Sequence, residues 1–268
     1  MTRDVLFTFL RKEVRDLRGN AQVWPGYLIL PLLAVALPVV MLAFVPFNAP
    51  ASLDPDLEML LRLAGRDPLL AAYPQGERLA RLMVRETGAL FLIMPVILSG
   101  MSAALAIVAE KQQRTLEPIL ATPVSDRMLL LAKLLAAVGP AVVVTWIAAI
   151  LNVIGVAVVS SMRLGTVILP GGAWLLAVLV LAPLCGVAAA LVGMRASMRS
   201  KDVQAAVQVA GLWVVPAGLV LVGLVGRPAL RSLVAGVVAS VLVAALDWWL
   251  FRRNERRFER EEILTQWV

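Results

Sequence analysis

Residues 134–159 read LLAAVGPAVVVTWIAAILNVIGVAVV and contain no charged side chain. A helix of that length rises far enough to cross about 30 Å of hydrocarbon. Most of its side chains are aliphatic, and the hydroxyl of Thr145 and the amide of Asn152 are rare polar groups within it. The stretch therefore predicts a transmembrane helix.

Uncharged apolar runs of similar length recur along the 268-residue chain. They predict six transmembrane helices at 27–47, 87–109, 134–159, 173–194, 205–225 and 232–251. Hydrophobic residues make up 60% of the sequence and charged residues only 16%, and the mean hydropathy is +0.86. Soluble domains carry more charge and fewer apolar residues. We therefore expect an all-α membrane protein whose six-span domain covers residues 23–251.

The basic residues orient the predicted helices. All 25 Lys and Arg residues lie outside the spans, 17 of them on the side that holds both termini and eight on the other side. Cytoplasmic loops of membrane proteins carry an excess of Lys and Arg, so both termini are predicted to be cytoplasmic. This topology also accounts for the net charge of +7 without a nucleic-acid partner.

The segments outside the spans have patterns of their own. Residues 3–18 separate apolar from basic side chains, which predicts an interfacial amphipathic helix within a 1–22 segment. Residues 252–268 mix Arg and Glu and are predicted to form a cytoplasmic tail. The external loop 48–86 contains two predicted helices, 54–64 and 77–86, which either shape an outer gate or cover the ends of spans.

Several kinds of chemistry are disfavoured by composition. The chain has no histidine and one cysteine, Cys185, so a disulfide framework or a thiolate metal site is not possible within one chain. General acid–base catalysis loses its commonest participant. The sequence also lacks the G-x-x-x-x-G-K-[ST] phosphate loop. We predict no catalytic, cofactor or metal residues in this chain, and therefore a separate energy source.

The cytoplasmic loop between the second and third spans, 110–133, is the most informative segment. It begins EKQQRTLEPILATPVSDR and leads to Lys133. Thr115 can cap a short helix, which Thr122 and Pro123 end, and Ser125 can cap the third span. The short helix has an apolar face that the bilayer does not obviously bury, formed by Leu116, Ile119 and Leu120. Such a face favours a protein partner over a bare connection between two helices.

This loop resembles that of the ABC-2 type transporter permeases, which commonly reads E-x-x-x-G-T-L-E-x-L-L-A-T-P-V-S and is followed by a lysine at the next span. The matching positions are Glu110, Thr115, Leu116, Glu117, Leu120, Ala121, Thr122, Pro123, Val124, Ser125 and Lys133. Arg114 stands where glycine is common, and Pro118 interrupts the usual aliphatic run. The basic N-terminal helix and the six spans extend the resemblance over the whole chain.

The resemblance implies a permease subunit of the type V exporter kind, in a bacterial or archaeal inner membrane. Its loop would be a coupling helix seated on a separate ABC ATP-binding subunit, which carries the ATP and Mg²⁺. The implied contact residues are Arg114, Thr115, Leu116, Glu117, Ile119, Leu120, Ala121, Thr122, Pro123, Val124 and Ser125, flanked by Glu110 and Lys133. The 3–18 helix would be a connecting helix. Two permeases, by default a homodimer, would pair with two ATPases.

The polar residues predicted inside the spans have two interpretations. Asp247 is either an interfacial carboxylate balanced by Arg252 and Arg253 or part of a transport route. Gln204 and Gln208 either satisfy neighbouring helices or contact a ligand. A pathway with little fixed charge favours a hydrophobic or amphipathic cargo, such as a lipid, a drug or a peptide. Two other functions remain open, namely a non-transporting subunit that transmits force or a signal and a polytopic membrane enzyme.

Proline occurs inside five of the predicted spans, at Pro31, Pro38, Pro95, Pro140, Pro183 and Pro216. Each proline removes an N–H donor and disturbs the helix around it. Membrane helices tolerate such positions when neighbouring groups satisfy the freed carbonyls. The prolines are therefore either tolerated or used to bend the helices during transport.

Overall fold

The computed structural model describes residues 23–45, 72–112, 126–199 and 233–255, together with positions 11, 12, 15, 19, 47, 59, 62, 70 and 208. These ranges are mainly helical and contain no strand, which confirms the all-α class for the part described. The α-helices are α1 Trp24–Phe44, α2 Gln75–Thr87, α3 Leu90–Gln112, α4 Asp126–Leu164, α5 Gly172–Leu176, α6 Ala182–Arg199 and α7 Leu233–Glu255. A π-helical turn, Ala177–Leu181, joins α5 to α6.

Five described segments are long and apolar enough to cross a membrane. They are Trp24–Phe44, Gln75–Ala106, Arg127–Leu164, Gly172–Ser197 and Leu233–Glu255. Each overlaps one of the predicted spans, namely the first, second, third, fourth and sixth. The chain therefore has the architecture of a multi-pass membrane protein.

Three predicted elements lie mainly outside the described residues. The fifth span, 205–225, is described only at Gln208. The amphipathic helix 3–18 is described only at positions 11, 12 and 15, and the external helix 54–64 only at positions 59 and 62, all of them helical. The six-span count and these two helices stay predictions.

α3 and α6 approach each other closely through small residues. A Cβ atom built on Gly193 of α6 would overlap the carbonyl oxygen of Gly100 and would lie 3.4 Å from the backbone nitrogen of Ala104. Ser99 Oγ donates to the carbonyl oxygen of Gly186 at 2.7 Å, and Ser197 Oγ donates to that of Ala104 at 2.5 Å. Small residues that permit close backbone contact are a common basis of helix association in membranes.

The remaining described spans pack around this pair. Asn152 of α4 donates from Nδ2 to the carbonyl oxygen of Ala34 in α1 at 3.2 Å. Ala34 also packs in one cluster with Phe91 of α3. In contrast, only 11% of the apolar window in α7 is buried, against 67% in the segment that contains α3. α3 is therefore central and α7 peripheral.

The amphipathic helix α2 lies across one end of α1 and α4. Its Ala80 packs with Leu42 of α1 and Val156 of α4. On its polar side, Arg81 forms a 2.7 Å ion pair with Glu77 one turn earlier. The helix therefore packs against these two spans near their ends.

A backbone carbonyl in the fourth span is satisfied by a side chain of the third. In the π-helical turn the N–H of Ala182 bonds to the carbonyl five residues earlier, that of Ala177. In the same pattern, the carbonyl oxygen of Val178 would accept from the backbone N–H of residue 183. That residue is Pro183, which has no N–H. Trp146 of α4 donates its indole Nε1–H to the Val178 carbonyl oxygen at 3.2 Å. The distortion beside Pro183 is therefore supported by a neighbouring helix.

Candidate functional site

The predicted coupling loop joins the end of α3 to the start of α4. α3 ends at Gln112 and α4 begins at Asp126, while residues 113–125 lie outside the described residues. The contact residues from Arg114 to Ser125 therefore stay a prediction. Glu110 lies in the last turn of α3, and its side chain is also outside the described part. The described site consists of the helix ends that carry the loop.

Four helices pack together in one apolar cluster at this end of the bundle. Its members are Ala103 of α3, Leu129, Leu130, Leu134, Ala137 and Val138 of α4, Ala190, Leu191 and Met194 of α6, and Phe251 of α7. We call it the four-helix cluster. Leu130 and Met194 are fully buried within it. Because protein interiors are densely packed, a displacement of the start of α4 is transmitted to its neighbours in this cluster.

Lys133 lies in the second turn of α4, among the positions that form the cluster. Its side chain is 1% exposed. Lysine is almost never buried without polar partners, because an ammonium group loses its hydration in the interior. The lysine that flanks the predicted coupling loop is therefore enclosed by the bundle rather than solvated at its surface.

Two polar contacts hold the end of α7 at the same place. Asn254 is 1% exposed, and its Nδ2 donates to the carbonyl oxygen of Leu191 in α6 at 2.9 Å. Glu255 Oε1 lies 3.9 Å from Nε of Arg127, in the first turn of α4. Asn254 was not predicted as a site residue, although it lies seven residues, or about two helical turns, after Asp247 on the buried face of α7. That spacing is the signal that identifies it.

Asp247 occupies the same buried face of α7. Its side chain is 7% exposed, and neither carboxylate oxygen has a hydrogen-bond partner in the described part of the chain. The two arginines predicted to balance it lie elsewhere, Arg252 over the ring of Trp248 and Arg253 over that of Trp249. Asp247 is therefore enclosed among helices and not paired with these arginines.

Gln204 and Gln208 were predicted to be polar residues of the spans. No contact in the described part of the chain places either of them at this end of the bundle. Gln208 is exposed, and Gln204 lies outside the described residues. The described site thus brings together Lys133, Asn254 and the four-helix cluster. Only Lys133 among these was singled out from the sequence.

Residues 78–246, more than half of the chain, match the family described as ABC-2 family transporter protein. The chain belongs to this family. A search of curated proteins found no match to this ABC-2 family chain.

In this ABC-2 family protein the matched range runs from α2 into α7 and includes the entire predicted coupling loop and Lys133. Members of the family are normally paired with an ATP-binding subunit, and the family indicates a membrane subunit for transport rather than an enzyme. Asp247 and Asn254 lie just beyond the matched range. They are features of this chain that the family match does not cover.

We expect Asp247→Leu to stabilise the ABC-2 family protein. A buried carboxylate without a hydrogen-bond partner opposes folding, and an apolar side chain of similar size removes that cost. The gain should be about 1–2 kcal/mol, or about 3–6 °C in the midpoint of thermal unfolding in detergent. Asn254→Leu is the matched control on the same helix face, and it should lower the midpoint because it removes the bond to Leu191. If both variants lower the midpoint equally, the Asp247 carboxylate has a partner outside the described residues.

Proposed function

We propose that this protein is the permease subunit of an ATP-driven ABC exporter, with a separate ATP-binding subunit docked on residues 114–125. One observation carries the proposal. The loop that carries the predicted apolar face connects α3 to α4, at the end where the four-helix cluster packs both helices against α6 and α7. A subunit that binds this loop and moves it therefore displaces helices that pack together in one cluster of four.

The coupling is mechanical in this proposal. Closure of the ATP-binding subunit around ATP and Mg²⁺ displaces the loop, and Leu130 carries that displacement from α4 to its neighbours Leu191 and Met194 in α6. The bond between Asn254 and Leu191 then carries it to α7. Packed elements with polar links are the kind of contiguous network that transmits conformational change. The nucleotide and the metal bind only to the partner subunit.

The assembly contains two permeases and two ATP-binding subunits, with a homodimer of permeases as the simplest closed arrangement. The uneven distribution of Lys and Arg, 17 against eight, supports cytoplasmic termini in a bacterial or archaeal inner membrane. The small number of charges in the spans supports a hydrophobic or amphipathic cargo. Asp247 is enclosed against neighbouring helices, so it does not by itself form a route for ions.

The proposal is tested by co-expression with the ATP-binding subunit encoded beside this gene, followed by affinity purification of the permease. A phosphate-loop ATPase should copurify and should hydrolyse ATP after reconstitution in liposomes. Recovery of the permease without an ATPase would refute the proposed partnership. Flux of amphipathic candidates in the same proteoliposomes then distinguishes export from signalling, since a signalling subunit would support ATP hydrolysis without flux.

A further inference from the structure

The end of α7 carries two adjacent pairs of tryptophan and arginine. Trp248 and Trp249 are 56% and 52% exposed. The guanidinium carbon of Arg252 lies 4.6 Å from the ring centroid of Trp248, and that of Arg253 lies 5.0 Å from that of Trp249. Both distances lie within the range of cation–π attraction. The sequence WWLFRR thus places two aromatic rings and two exposed cations within two helical turns.

The rings and cations terminate an exposed apolar surface on the same helix. The apolar side chains with the largest exposed fractions on this surface are Val234, Val241 and Leu242, which are 73%, 63% and 66% exposed. Along α7 the order is therefore apolar, then aromatic, then cationic. This is the order in which a phospholipid presents acyl chain, interfacial region and phosphate. A helix of 23 residues is about 34 Å long, which places its two ends near the two membrane interfaces.

Among the residues that the structure describes, no acid neutralises the positive charge of this surface. In the described part of the chain, the acidic residues closest in sequence are Asp247 and Glu255. Asp247 is enclosed on the opposite side of the helix, and Glu255 is ion-paired with Arg127. Neither Arg252 nor Arg253 forms an ion pair with a described residue. Two exposed arginines at adjacent positions of a helix can reach one phosphate group. A guanidinium group can donate two parallel hydrogen bonds to the phosphate oxygens.

We propose that Trp248, Trp249, Arg252 and Arg253 form a binding site for the headgroup of an anionic phospholipid. The tryptophan rings lie at the level of the glycerol backbone and hold the arginine side chains towards the phosphate. A lipid fits better than a water-soluble protein because the same helix surface continues as an apolar surface along the whole span. This site is independent of the coupling loop and of any cargo.

The test is thermal unfolding of the full chain in detergent micelles supplemented with phosphatidylcholine or with phosphatidylglycerol. Phosphatidylglycerol should raise the midpoint by about 3 °C relative to phosphatidylcholine, since a ligand that binds the folded state stabilises it. Arg252→Gln/Arg253→Gln should abolish that difference while leaving the midpoint in phosphatidylcholine unchanged. Arg252→Lys/Arg253→Lys, which keeps the charge but loses the planar stacking, should retain only part of the difference.

Arg227→Gln/Arg231→Gln is the matched control, because it removes two arginines that precede the other end of α7. This variant should keep the full effect of phosphatidylglycerol. An equal loss in both double variants would show a general effect of charge and overturn the proposed site. An unchanged lipid effect in Arg252→Gln/Arg253→Gln together with a changed oligomeric state would also overturn it, in favour of a contact with a second copy of the chain. Free glycerol phosphate should not reproduce the shift.

Discussion

Gly193→Ala is expected to destabilise the protein strongly, although it adds a single methyl group. That methyl group would overlap the carbonyl oxygen of Gly100, so α3 and α6 would have to separate. Separation would also strain the hydrogen bonds from Ser99 to Gly186 and from Ser197 to Ala104. Overpacking of a close interface costs about 1–3 kcal/mol. We expect a fall of about 3–9 °C in the thermal midpoint and less folded protein in the membrane.

Gly172→Ala provides the matched control for this substitution. A Cβ atom at Gly172 would lie 3.7 Å from the nearest atoms, the methyl carbons of Leu233, which is ordinary van der Waals contact. This variant should remain within about 1 °C of the wild type, because surface and uncrowded substitutions have small effects. Equal midpoints for the two variants would show that α3 and α6 do not approach through Gly193 and Gly100.

Leu116→Asp/Leu120→Asp is expected to separate the protein from its proposed ATP-binding subunit. Both leucines belong to the predicted apolar face of the coupling loop, and a docked partner would have to bury two carboxylates. Burial of an unpaired charge costs several kcal/mol, and each 1.4 kcal/mol lowers affinity tenfold. The amount of ATPase that copurifies should fall at least tenfold, while the permease remains folded in the membrane.

The control for the loop variant is Gln112→Asp/Gln113→Asp. It adds the same two charges to the same loop, before the predicted apolar face. Copurification of the ATPase should be close to that of the wild type, since both positions precede the implied contact residues 114–125. If the leucine variant retains its ATPase, the docking surface lies elsewhere on the protein.

The spans were the most predictable part of this fold. Apolar runs, four of them without charge and one containing only Asp247, identified five segments that the structure describes as helices, since any backbone within hydrocarbon must satisfy its own hydrogen bonds. Helix ends were less predictable. The third span was predicted at 134–159, yet α4 begins at Asp126 and ends at Leu164, where Gly165 takes a positive φ of 68°. Hydropathy identifies the part of a helix that lies within the hydrocarbon. The helix itself continues into the interface for as long as its backbone hydrogen bonds are formed.

The polar links between helices were not predictable from apolar runs. Pro183 indicated a disturbance in the fourth span, but the use of Trp146 to satisfy Val178 depends on how two helices meet. Asn254 appeared to belong to a solvated tail, and in the structure it is enclosed by α6. In contrast, the coupling loop was predicted from its residues and its resemblance alone, and residues 113–125 lie outside the described part of the chain.

Photo-cross-linking from residue 120 is the most direct test of the proposed coupling. A photoreactive amino acid replaces Leu120 in the full chain, co-expressed in membranes with the ATP-binding subunit. The proposal predicts a cross-linked product that contains this subunit. The same photoreactive amino acid at position 59, in the loop predicted to be external, should give no such product. If the subunit copurifies but cross-links from neither position, or from position 59 alone, residues 114–125 are not the docking site of the ATPase.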